Sequence, residues 1–294
     1  MIKATRLIEL AKIYTYDFKN YWKFRERVRE LKEIYSASGA DLFHPIWTDE
    51  HSKGVYHSNF RADNVFVWQK RRYKKSSLSA AAQIACDLDE NKLLDRLVED
   101  SSYKVETFKF DRCVFSRDLI DSCLELNYLY RFFPRGVGTT LDLGAGYGRF
   151  AKRAIESDFS REVICIDSVP ISTAVSEIYL KDLINSKKVH VLGLNNFRAL
   201  NSHKIDLVVN IHSFSEMSLN SVDFWISLLN QLGVTWVFIV PNGPNLTLND
   251  GSSFEGILRR NNYRIFDSRL KYGNHQLASL AMHPSTYYLL KRSE

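Results

Sequence analysis

A chain of 294 residues with 45% hydrophobic and 25% charged content carries enough apolar material for one large or two ordinary buried cores, which excludes wholesale disorder. Its net charge of +6 is too mild for that length to select a nucleic acid, a membrane surface or any other anionic partner. Cys86, Cys113, Cys123 and Cys165 show no C-x-x-C pairing and no zinc spacing, so they read as free thiols in a reducing compartment. No leader-like or membrane-spanning stretch stands out, and the expected location is the cytoplasm.

Taken in order, residues 4–35 carry Leu7, Leu10, Ile13, Tyr14, Phe18, Tyr21, Trp22, Phe24 and Val28 at helical spacing. Lys19, Lys23, Arg25, Arg27 and Arg29 decorate that helix. Glu26, Glu30 and Glu33 dilute them, which favours a helix packed on its own domain over a membrane-surface helix. Residues 36–60 read as loop and hold His44, His51 and His57, a spacing that fits no metal motif; a long ordered loop can serve as a substrate lid, with His57 as a substrate candidate. Phe66, Trp68, Lys70, Arg71, Arg72, Tyr73, Lys74 and Lys75 interleave bases and aromatics. That pattern can bind nucleic acid, but the run is short. Residues 80–132 read as mainly helical, with a second helical stretch from Asp118 to Phe133 stopped by Pro134 and Gly136.

The chain then reaches Thr139-Thr140-Leu141-Asp142-Leu143-Gly144-Ala145-Gly146-Tyr147-Gly148-Arg149-Phe150. A short apolar run ends in glycines at every second position and passes into helical spacing at Phe150, Ala151, Ala154 and Ile155. That is a strand, a tight turn and a helix start, where α/β proteins receive a cofactor's anionic group. A dinucleotide turn of the form G-x-G-x-x-G needs its last glycine at position 149, where Arg149 stands. The G-x-G-x-G turn after an acid instead resembles the first motif of class I S-adenosylmethionine (SAM) methyltransferases. The resemblance implies that the methionine end of SAM lies over Gly144, Ala145, Gly146, Tyr147 and Gly148, with Asp142 facing its amine.

From residue 137 strands and helices alternate, which predicts a parallel sheet covered on both faces. The predicted strands are 139–143, 163–167, 189–192, 205–210 and 234–240, then a helix at 252–261 and closing strands near 263–267 and 286–290. A parallel sheet closed by an antiparallel C-terminal hairpin is the seven-stranded, Rossmann-like class I methyltransferase layout. The expected division is an N-terminal, mainly helical accessory and lid region over 1–115 and a SAM-binding domain over 116–294.

Ligands of such sheets lie beyond the strands' carboxyl ends. Asp167, ending the second strand, can accept both ribose hydroxyls, with Ser168 beside it; Asn195 and Asn196, after the third strand, can read an adenine edge. After the fourth strand comes Asn210-Ile211-His212-Ser213-Phe214-Ser215-Glu216-Met217, which lacks the D/N-P-P-Y segment of an amino-group methyltransferase and the Pro-Cys pair of a C5-cytosine enzyme. Asn210 and Ile211 join the cofactor set by position. If the segment is one helical turn, His212 and Glu216 share a face, and an imidazole oriented by a carboxylate is a sensible general base for a hydroxyl. Asn242, after the fifth strand, and His275, in the last loop beside Asn274, are further substrate candidates.

The strand-four segment together with the glycine turn resembles a bacterial sugar O-methyltransferase family associated with polysaccharide and glycan clusters, over residues 110–294. It implies transfer of a methyl group from SAM to a sugar hydroxyl, on a glycan, a lipid-linked glycan or a glycosylated metabolite. No compact ligand cluster marks a metal site, so metal independence is expected. DNA is not an expected partner, RNA is disfavoured, and self-association is left open. The alternatives are an RNA methyltransferase using the basic aromatic stretch and a non-catalytic SAM-binding subunit.

Overall fold

The computed structural model describes residues 2–38, 47, 50–62, 74–273 and 285–293, with side chains from residue 19 onward. Helix α1 (Ile2–Ala37) is followed by α2 (Lys75–Asp87), and a two-stranded antiparallel ribbon, β1 (Thr107–Phe110) with β2 (Cys113–Ser116), leads into α3 (Arg117–Tyr130). Then come β3 (Val137–Leu143), α4 (Arg149–Glu156), β4 (Ser160–Ile166), α5 (Pro170–Tyr179), α6 (Lys181–Asn185), β5 (Val189–Leu192) and β6 (Leu207–Ile211). The chain closes with α7 (Leu219–Gln231), β7 (Trp236–Val240), α8 (Glu255–Arg260), β8 (Tyr263–Leu270) and β9 (Thr286–Arg292).

Seven strands form one sheet in the order β5-β4-β3-β6-β7-β9-β8. The first five are parallel, and β9 runs antiparallel to both β7 and β8. This is the Rossmann-like sheet with an antiparallel C-terminal pair that the alternation of elements predicts. The parallel pairs need crossover helices, which is why the central strands are apolar on both faces. Alternation divides β3 between two cores: Leu141 and Leu143 pack with α1, α5, α7 and α8, whereas the opposite face meets α2, α3 and α4. The order reverses between β3 and β6, so the crevice beyond their carboxyl ends is the natural ligand position.

The N-terminal region shares these cores. Phe24, Val28, Leu31 and Tyr35 of α1, with Val55 and Phe60, lie in the same apolar cluster as Leu141 and Ile164. Tyr35 hydrogen-bonds Thr173 at 2.9 Å, and Arg27 grips Glu177 through Nε and Nη2 at 3.0 and 2.7 Å, which fastens α1 along α5.

The expectation of helix across 80–132 is corrected by the β1–β2 ribbon. Phe108, Phe110 and Phe115 cluster on one side of it, an alternation of period two that the surrounding helical spacing hides. The basic aromatic stretch from Phe66 to Tyr73, together with His44, Asn274 and His275, lies outside the described residues. Among the described residues, no helix is long and apolar enough to cross a membrane.

Candidate functional site

The glycine turn leaves β3 with backbone that only glycine adopts cheaply. Gly144 has φ of +80°, and a Cβ there would stand 2.1 Å from Ser213 Oγ, so the turn and the segment after β6 are in closest approach. Gly146 has φ of +57° with nothing within 4 Å of the Cβ position, a cradle open to a ligand. The Gly144 and Ala145 amides donate to the Ile166 carbonyl at 2.8 and 3.2 Å, which ties the turn to the end of β4. Gly148, also left-handed, starts α4.

Two carboxylates flank the turn. Asp142 is 2% exposed, and its Oδ2 is buried without a hydrogen-bond partner. Burial, with Asp167 and Glu125 nearby, pushes its pKa up to about 7 against the opposing pull of Arg149 and the Ala151 amide. Asp167 accepts from the Gly146 and Val169 amides, each at 2.8 Å, and burial raises its pKa to about 7 despite those amides. A buried acid with an orphaned oxygen beside an open glycine turn fits an ammonium-bearing ligand, and Asp167 bounds that space from β4. Ser168 is half-buried beside it, and Asn195 and Asn196 lie exposed after β5, bonded to each other at 3.2 Å.

The segment after β6 departs from the expected helical turn. His212 sits at φ of +69° and heads a 3₁₀ turn, Ser213–Glu216. The left-handed backbone at His212 puts it outside the turn, so the one helical turn on which His212 and Glu216 were expected to share a face does not form; that expectation is corrected. Glu216 instead accepts from Trp47 Nε1 at 2.5 Å and from Asn242 Nδ2 at 3.3 Å. Asn242 also donates to Asn249 at 3.0 Å, and its amide to Ser215 Oγ at 3.1 Å. His212 faces Lys271, Asp121, Arg149 and Arg117, and burial with the nearby cations drives its pKa down to about 3. It is a neutral imidazole whose Nδ1 is buried and unpartnered.

Asn210 holds protein at both ends. Its Nδ2 donates to the Leu143 carbonyl and its Oδ1 accepts from the Phe214 amide, each at 2.8 Å, so it straps the turn to the 3₁₀ segment where a cofactor contact was expected. Ile211 packs into the α3-side core, and His57 lies against Tyr21 and Phe24 of α1.

Several participants escaped the sequence reading. The Tyr147 hydroxyl donates to Asp118 on α3. Arg61, 3% exposed, pairs with Glu99 at 2.8 Å and Asp100 at 2.6 Å, lies 3.7 Å from Asp118, and stacks over Tyr147 and Tyr179. Arg149 grips Glu125 at 2.7 and 3.0 Å. Asp118, Asp121 and Glu125 fall at i, i+3 and i+7 of α3, one face, which is the trace that the sequence offers of this buried acidic stripe. Nothing local points to Trp47 or Arg61. Among the described residues, no group of His, Cys, Asp and Glu could hold a metal ion.

No family model matches the chain, and no curated protein matches it in sequence. Solved structures match over part of the chain. One is a SAM-dependent methyltransferase from Leishmania major, 15% identical over 58% of this chain and 72% of that one, with a TM-score of 0.43. Another is magnesium protoporphyrin IX methyltransferase from Synechocystis with bound SAM, 12% identical over 75% and 100%, TM-score 0.44. A third is a SAM-dependent methyltransferase from Clostridium acetobutylicum, 11% identical over 59% and 91%, TM-score 0.44. Likenesses of this size carry no argument about activity, and the fold of this chain rests on its own strand order.

Proposed function

We propose that the chain is a SAM-dependent O-methyltransferase that acts on a sugar hydroxyl of a glycan, polysaccharide or glycosylated metabolite. The observation that carries the cofactor half of this reading is the unpartnered Asp142 carboxylate oxygen, at the strand end that leads into the open Gly146 cradle. An activated methyl group on a sulfonium is the chemistry that SAM would supply when bound. Asp142 would hold the amine and Asp167 the ribose hydroxyls, while Tyr147, fixed by Asp118, would keep the turn in register.

The residues that would face the acceptor are Trp47, Glu216, Asn242 and His212. Glu216 and Asn242 would position the acceptor hydroxyl, and alignment of that oxygen with the methyl group would account for most of the acceleration. His212 is neutral throughout the physiological range and would take a hydrogen bond from the hydroxyl; its low basicity suits orientation more than full proton removal before transfer. The sugar assignment is supported by the resemblance of the segment from Asn210 to Met217, and this region offers no D/N-P-P-Y feature for a base amine.

The test is calorimetry with S-adenosylhomocysteine (SAH), followed by tritiated-methyl transfer from SAM to candidate glycans. Binding of SAH with transfer to a glycan is the expected outcome. Heat with a nicotinamide dinucleotide and none with SAH would overturn the cofactor assignment, and transfer to RNA alone would replace the acceptor.

A further inference from the structure

The glycine turn is held from outside the sheet. Between Gly144 and Gly148 its one long side chain is Tyr147. The Tyr147 hydroxyl donates to Oδ2 of Asp118 on α3, and Arg61 Nε faces the same oxygen at 3.7 Å. Arg117 lies 3.3 Å from the other oxygen of Asp118. The remaining nitrogens of Arg61 are spent on residues 99 and 100: Nη2 meets Glu99 at 2.8 Å and Nη1 meets Asp100 at 2.6 Å. A planar guanidinium whose three nitrogens face three carboxylates has little choice of orientation, so Asp118 Oδ2 is fixed relative to residues 99 and 100.

Aromatic rings repeat this connection. Tyr147 packs against Phe60 and Tyr179, with centroids 5.8 and 5.1 Å away, and Arg61 lies over both tyrosines. Phe60 stacks on Tyr103 at 4.4 Å, and the Arg61 amide donates to the Tyr103 carbonyl at 3.3 Å. Helix α4, which leaves the turn at Gly148, is gripped by the same segment. Lys152 reaches Asp100 at 2.7 Å, and Arg153 donates to the Val98 carbonyl at 3.0 Å and lies 3.5 Å from Glu99. Residues 60–61 and 98–103 therefore clasp both the turn and the helix that follows it. Within the turn Gly144, Gly146 and Gly148 have φ of +80°, +57° and +89°. A glycine-rich backbone has many alternatives open to it, and a ligand that must first order them binds more weakly. A side chain fixed between two of those glycines removes that freedom beforehand.

We propose that Arg61 is a positioning residue for the glycine turn: through the Asp118 oxygen that it shares with Tyr147, it holds the turn in its ligand-receiving shape, so that cofactor binding and docking of residues 60–61 and 98–103 are linked. This gives the N-terminal region a part in cofactor affinity, and it rests on the methyl-transfer reading for the cofactor's identity. Linkage is reciprocal, so SAH must tighten the clasp by as much as the clasp tightens SAH.

The experiment compares the full wild-type chain with Tyr147→Phe, Arg61→Lys and the double variant. Tyr147→Phe removes one hydroxyl, keeps the ring and leaves every ion pair of the group in place, so it should fold. Arg61→Lys keeps a cation for Glu99 and Asp100 and loses the fork. Calorimetry with SAH should show about tenfold weaker binding for each single variant, and no further loss in the double variant, because both act through one oxygen. On the unliganded proteins, amide exchange across residues 144–149 should be faster in both single variants. SAH should slow exchange at residues 99–104 in wild type and leave it unchanged in Tyr147→Phe. Should Arg61→Lys fail to fold, Tyr147→Phe decides by itself. Losses that multiply in the double variant would overturn the proposal, as would equal slowing by SAH in wild type and Tyr147→Phe. Wild-type SAH affinity in the folded variants would sink the linkage alone, whereas no heat with SAH on the wild-type chain would sink the methyl-transfer reading and the linkage together.

Discussion

The two sides of the sheet's carboxyl end hold their acids in opposite ways. On the glycine-turn side, Asp142 and Asp167 are buried against backbone amides and apolar strand, and burial raises both. On the α3 side, Asp118, Asp121 and Glu125 are buried as deeply, yet cations from elsewhere in the chain lie against them: Arg61 and Arg117, Lys271, and Arg149. Desolvation penalises both sets alike, so the difference lies in what repays it. An acid left short of a cation by the fold is poised for a cationic ligand. A set already balanced by the fold has its charge spent on holding protein to protein.

The comparison can be broken most forcefully on the balanced side. Lys271→Met strands Asp121 in the core and should cost about 3–5 kcal/mol in urea unfolding, whereas Lys271→Met with Asp121→Leu should recover most of the loss. If the single variant is as stable as wild type, the pair is not buried in solution. Gly144→Ala comes next: a Cβ set against Ser213 at positive φ should cost about 2–4 kcal/mol by the same assay and weaken SAH binding with it.

On the unbalanced side the loss should fall on the ligand and spare the fold. Asp142→Asn is expected to weaken SAH by about 100-fold at pH 8, a charge-assisted bond of about 2–3 kcal/mol, without lowering the melting temperature. A fall in stability with intact SAH binding would make Asp142 a structural acid.

Titration sharpens the contrast further. The folded pKa values of Asp142 and Asp167, near 7, exceed the unfolded value of about 3.9, so unliganded stability is complete below about pH 4 and declines as pH rises toward 7. An ammonium at Asp142 reverses that preference and expels a proton. SAH affinity should therefore climb by up to about tenfold per pH unit toward pH 7 and level off above it. A flat profile from pH 5 to 8 would remove the proton linkage. The smallest effect belongs to the N-terminal contact: Trp47→Phe deletes the indole donor to Glu216 and should reduce turnover by about tenfold or less, a net loss of about 1 kcal/mol, while SAH affinity holds.

Much of the glycine-turn side is legible in the residues because its determinants are local. Glycines at 144, 146 and 148 mark backbone that a side chain resists, and Asp142 and Asp167 end apolar runs whose period puts them at one end of a parallel sheet. Asn210 lies within β6, one residue before its end, and its amide reaches across to Leu143, 67 positions earlier, a contact that no local pattern shows. His212 and Glu216 were expected to meet on an α-helical pitch, and a left-handed residue followed by a 3₁₀ turn sends them to opposite neighbours.

By itself, the sequence determined the alternation of strand and helix, the glycine turn and the acids beside it, because chain sterics and burial periodicity act over a few residues. Only the tertiary structure decided which charges cancel. Lys271 lies 150 positions from Asp121 and Arg61 lies 57 from Asp118, and no local pattern encodes an ion pair whose strength depends on how well water is excluded from both ends.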